Sequence, residues 1–186
     1  KLVKVRDKKA KKLGYKNFVE MGYNEMTRTD YDAEMVARFR EQVKEHIVPV
    51  VGRLIERQKK RLGVTELPYY DEPIRFLSGN ARPFGTPDEI LAQAKGMYAD
   101  MSPETGEYFR YMLDNDLIDV LPRPGKEGSG FCSYIGTYRA PFLFANFNGT
   151  SGDVNLMTHE AGHAFQHYMS RNIDTPELTC ATMETA

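Results

Sequence analysis

His159-Glu160-Ala161-Gly162-His163 is an HExxH run. Histidines four residues apart share one face of a helix, one turn from each other. Two imidazoles so placed can grip one metal ion, and the glutamate between them projects beside the site where an activated water would sit. The chemistry this points to is zinc-dependent hydrolysis, most often of a peptide bond. His159 and His163 are the candidate metal ligands, Glu160 the candidate general base and Zn2+ the implied cofactor. A lone helical histidine is more often packed or solvated than ligating. Here Leu156, Met157, Ala161, Ala164, Phe165 and Tyr168 surround the motif with apolar residues. The helix therefore reads as buried, which suits a dry metal site better than two unpaired histidines. Gly162 costs the helix about 1 kcal/mol relative to Ala, and a glycine inside a buried helix marks a close approach.

Something must position that helix. Upstream stands Phe142-Leu143-Phe144-Ala145-Asn146-Phe147-Asn148-Gly149-Thr150-Ser151-Gly152-Asp153. Its first part is apolar, aromatic and of strand length. Asn148-Gly149 signals a turn, and Ser151 or Asp153 can cap the helix that follows. An exposed strand edge there could hydrogen-bond an extended peptide and lay its scissile bond over the metal. Ala145 and Asn146 are the candidate substrate contacts on this strand. The bland alternative is a plain core strand.

These segments together resemble the oligoendopeptidase F branch of the M3 metallopeptidases. The residues that carry the likeness run from Ala140 to Thr150, continue through Asp153-Val154, and extend from Met157 to Gln166. Lys11 to Phe18, Thr29-Asp30-Tyr31 and Phe131-Cys132-Ser133-Tyr134 fit as well. The resemblance implies a mostly α, zincin-like helical catalytic region with a small β-sheet or hairpin before the HExxH helix. It implies a deep cleft that admits short peptides, and a cytoplasmic location. Residues 1–186 would be part of one M3-type catalytic domain, cut at both ends.

The resemblance also implies a third ligand. Zinc peptidases of this kind use three protein ligands and a water. In the M3 pattern the third is a Glu on the next helix, which here starts near Thr175-Pro176-Glu177 and falls just past Ala186. The remainder of the domain beyond Ala186 is then a required partner. Glu184, 21 residues after His163, is the rival within the chain. Glu177 suits a role in the first helical turn, and His167 reads as packed or supporting. A metzincin site is excluded, because Gln166 and Met169 stand where it needs Gly and His.

Residues 122–130 read as a flexible, polar, Gly-rich loop. Gly128-Ser129-Gly130 lacks the ending and the preceding strand of a phosphate loop. Loops beside active sites often touch substrate, and M3 relatives have a Gly-rich loop at the matching place. Gly128, Gly130 and Phe131 are therefore candidate substrate contacts.

Composition narrows the rest. The 186 residues carry 25 Lys and Arg against 26 Asp and Glu, so no electrostatic case exists for nucleic acid or an anionic membrane. No segment approaches a membrane span. Cys132 and Cys180 have no zinc-site spacing, which suits a reducing compartment. Two further readings remain open: an inactive metal-binding fragment lacking its third ligand, and a helical interaction module without metal.

Periodicity predicts the remaining elements. A helix should run over 31–62, capped by Asp30, kinked at Pro49 and ended by Gly63. Its apolar face includes Phe39, Ile47, Val51 and Leu54. A short strand is expected at 74–77. Thr86-Pro87-Asp88-Glu89 should start a helix that buries Ile90, Leu91, Ala94, Met97 and Tyr98. Ser102-Pro103-Glu104 should start another, with Phe109, Met112 and Leu113 inward and Asn115 at its end.

Overall fold

The computed structural model describes residues 1–26 and 30–175. The chain divides into two compact units at Ser78 and Gly79.

The first unit is helical. α1 (Leu2–Lys12) and α2 (Phe18–Glu25) form a pair joined through Gly14, with an ion pair between Lys9 and Glu25. α3 (Ala33–Gln42) starts two residues later than the expected cap: the Asp32 carboxylate, not Asp30, accepts from the Met35 amide at 2.8 Å. The long helix then passes through a π-helical turn, Val43–Ile47, before α4 (Val48–Leu62). The π turn stands immediately before Pro49. Proline has no N–H to donate and its ring crowds the preceding turn, so the helix widens there rather than breaking. Gly63 closes α4 in the left-handed conformation, φ 69°.

In this unit one apolar stripe stays uncovered and one expected strand does not form. The apolar residues of α3 and α4 keep their helical spacing, but Phe39 (64%), Ile47 (54%) and Leu54 (55%) are exposed. Residues 74–77 form no strand. The carbonyls of Glu72 and Ile74 accept from the Gln58 side chain at 2.9 and 2.6 Å, and that of Arg75 from Arg61 at 2.7 Å. Helix side chains thus satisfy the backbone groups that a ladder would otherwise have taken.

The second unit holds the core. α5 (Pro87–Met101) begins with the expected capping box of Thr86 and Glu89. It buries Ile90, Ala94 and Tyr98, whereas Met97 turns outward. α6 (Pro103–Asp114) begins at Ser102 and ends at Asn115 as predicted. The three strands β1 (Ile118–Asp119), β2 (Phe131–Ile135) and β3 (Ala140–Phe144) form a mixed sheet in the order β1-β3-β2. β1 pairs parallel and β2 antiparallel to β3. α7 (Ser151–Ser170) carries the HExxH run.

One face of the sheet and α6 pack on α7. Tyr108, Phe109, Met112, Leu143, Ala161 and Ala164 are fully buried there. Each large apolar side chain so enclosed contributes about 1.5–3 kcal/mol. Small residues at 161 and 164 let the helix lie close to its neighbours.

Candidate active site on α7

The turn into α7 is held by a carboxylate. Asp153 is 4% exposed and accepts from the amides of Asn148 (2.9 and 3.1 Å) and Gly149 (2.7 Å). It therefore fastens the turn before the helix instead of capping it from outside. The residue at the cap is Thr150, whose side chain makes no capping bond. A carboxylate in the first turn also suits the positive end of the helix dipole.

Along α7, His159 and His163 stand one turn apart, as their spacing requires. Their ring centroids are 4.9 Å apart and the planes nearly perpendicular, at 89°. His159 is exposed and His163 half-buried, while Glu160 is 7% exposed. Tyr108, itself fully buried, donates its phenol proton to the Ala161 carbonyl at 2.9 Å. This bond fixes α6 to the residue after Glu160. Burial pushes the Tyr108 phenol well above its ordinary pKa, so it remains a donor. One turn further on, His167 is buried and stacks on Tyr134 of β2, with centroids 5.3 Å apart and planes 18° apart.

Two histidines with a carboxylate between them fit part of a zinc site. Among the described residues no group of three ligand side chains gathers. Glu177 and Glu184 lie outside the described residues, as does Cys180.

The strand read as a possible exposed edge is the central one. β3 is paired on both sides, and the outer strands are β1 and β2. Ala145 is fully buried; its amide donates to Asp119 (2.8 Å) and its carbonyl accepts from Lys126 (2.6 Å). Asn146 directs its side-chain amide to the carbonyls of Glu127 (2.7 Å) and Ser129 (2.9 Å). Both residues thus hold the Gly-rich loop through their own polar groups.

The three loop candidates differ in surroundings. A Cβ on Gly130 would lie 2.5 Å from a Leu156 methyl on α7, whereas one on Gly128 would meet nothing within 4 Å. Phe131 is 38% exposed and stacks on Phe144, with centroids 4.8 Å apart.

Sequence reasoning missed Lys126. Its ammonium, on a side chain 1% exposed, also pairs with Asp119 at 2.9 Å, and Arg123 grips the same carboxylate with two bonds. The Arg123 guanidinium, and after it the Lys126 ammonium, hold the Asp119 carboxyl down to about 2. A lysine among Pro, Gly and Glu looks solvated in sequence, and nothing in the pattern signals its burial.

Comparison with known proteins finds a likeness to peptidases. The model of peptidase family M3 matches residues 102–183. The likeness to the M3 peptidases holds, and within them it is to the oligoendopeptidase F branch. A structure assigned as an oligoendopeptidase F from Bacillus anthracis strain Ames is 57% identical, covers 96% of this chain and superposes with a TM-score of 0.90. PZ peptidase A, solved with an inhibitor, is 55% identical over 96% of the chain, TM-score 0.91. The oligoendopeptidase F homolog of Lactococcus lactis subsp. lactis is 28% identical over 70% of the chain. The chain spans 21% of that curated relative and 33% and 32% of the two solved structures. Among the described residues no helix is long and apolar enough to cross a membrane.

Proposed function

We propose that this chain carries the active-site region of a zinc-dependent endopeptidase that cuts internal bonds of short peptides. Residues 1–186 would belong to one zincin-like catalytic domain of the M3 type. The observation that carries this reading is the His159–His163 pair at 4.9 Å on one face of α7, with Glu160 buried on the same turn. His159 and His163 would hold the metal. The third ligand would come from Glu184 or from a residue following Ala186. When bound, zinc supplies a Lewis acid that polarises a carbonyl and eases deprotonation of water.

The protein's own groups do the rest. Glu160 takes the proton from the attacking water and returns it to the leaving amine, with its burial keeping competing water away. Tyr108 holds the helix backbone beside it. An extended peptide would add to the sheet at β2, the outer strand that leads on from residues 128–131, and contact those residues. The cysteine usage and the family likeness favour a cytoplasmic enzyme.

In the full-length protein, Glu160→Gln should retain metal and lose kcat by about 10²–10⁴-fold. His159→Ala and His163→Ala should lose the metal itself, read by elemental analysis. Near-normal turnover in Glu160→Gln would defeat the assignment. Wild-type protein that binds zinc weakly and cuts no peptide would favour the inactive-fragment reading instead.

A further inference from the structure

We propose that Lys126 is a positioning residue for peptide binding, holding residues 127–131 at a fixed place beside α7. The inference rests on the peptidase reading above.

An ammonium group has three protons to donate and no acceptor capacity. Lys126 finds four oxygen partners: the Asp119 carbonyl (3.1 Å), the Asp119 carboxylate (2.9 Å), the Leu121 carbonyl (2.9 Å) and the Ala145 carbonyl (2.6 Å). The Phe144 ring lies beneath it, 4.4 Å to the centroid. These partners belong to β1, to the start of the loop and to the end of β3. One buried cation therefore ties the loop to two strands. Desolvating an unpaired ammonium is strongly unfavourable, so the loop holds Lys126 inside only while this set of acceptors is intact.

The anchor extends toward α7. Asn146 clamps the carbonyls of Glu127 and Ser129, on either side of Gly128. Two residues on, Gly130 abuts Leu156, one turn before His159. The segment is fixed at its flanks, yet Gly128 faces open space. Such a segment offers backbone to a ligand without first having to be ordered, and preorganisation of this kind lowers the cost of binding. The partners of Lys126 and Asn146 named above include neither Glu160 nor the two histidines. The effect of Lys126 should therefore appear in substrate affinity and leave the chemical step alone.

The test uses the full-length protein and a short internally quenched fluorescent peptide. Lys126→Met keeps the length and removes the charge and donors. It should raise KM about tenfold or more, with kcat within about threefold. Backbone amides of residues 122–131 should exchange with deuterium at least about tenfold faster while those of α7 stay unchanged. Asn146→Ala should move both readouts in the same direction by about threefold, and serves alone if Lys126→Met does not fold. Faster loop exchange with an unchanged KM would overturn the proposal, as would a fall in kcat at constant KM. A wild-type protein that cleaves no peptide would instead sink the function on which the proposal rests.

Discussion

Two loops of this protein, one in each unit, are held by different physics. Residues 68–78 and residues 122–130 are both rich in Pro and polar groups, and both are pinned by a buried side chain that donates to backbone carbonyls. In the first, Gln58 (3% exposed) bonds the carbonyls of Glu72 and Ile74 and accepts from Arg75 at 2.9 Å. That anchor is a neutral amide on a regular helix. In the second, the anchor is the Lys126 ammonium, rooted in the loop itself and balanced by Asp119. A neutral anchor is insensitive to pH. A charged one depends on its counter-ion keeping its charge. The loop beside the candidate active site thus has the more conditional attachment.

Several substitutions would break or sharpen that contrast. The largest effect should come from Gln58→Ala, which removes the side-chain bonds to two carbonyls and to Arg75. A loss of about 2–3 kcal/mol is expected in chemical denaturation, with faster exchange confined to residues 68–78. Gly130→Ala comes next. Its new methyl must displace Leu156, at about 1–2 kcal/mol, and in the full-length enzyme should also raise KM.

Acid should separate the loops without mutation. The Asp119 carboxyl is depressed to about 2, below its ordinary value near 4. A depressed acid contributes stability that is fully present above its unfolded pKa and is lost as pH falls through the folded one. Between about pH 4 and pH 2 the second loop should therefore loosen, by about 1–2 kcal/mol after solvent screening of its partly exposed carboxyl. Amide exchange in residues 122–130, taken relative to intrinsic rates, should rise over that window ahead of exchange in residues 68–78. Equal rises would remove the distinction. Gly128→Ala should do least, within about 0.5 kcal/mol, since no atom occupies the space its methyl would enter. A large loss there would show that the loop is tighter than its geometry implies.

The elements were largely legible because their signals are local. Thr86-Pro87-Asp88-Glu89 and Ser102-Pro103-Glu104 start helices where their caps say, and Gly63 stops one. The HExxH spacing puts two rings on one face whatever surrounds them. Two apolar helices show where legibility ends. α7 and α4 both carry helical stripes, yet the α7 stripe meets a sheet and α6 while much of the α4 stripe stays exposed. Periodicity fixes which residues share a side, and says nothing about what lies against it. The strand before α7 was readable as a strand, but its central place required β1 from earlier in the chain on one side as well as the adjacent β2 on the other.

By itself, then, the amino-acid sequence determined the helix starts and stops, the paired imidazoles, the carboxylate between them and the family likeness. Each depends on residues a few positions apart, where backbone geometry alone sets the distances. Tertiary structure decided that Glu160 is enclosed, that β3 is internal, that Gly130 but not Gly128 is crowded, and that Lys126 is buried. Those outcomes depend on which carbonyls, rings and carboxylates converge from remote segments, and no local pattern encodes that convergence.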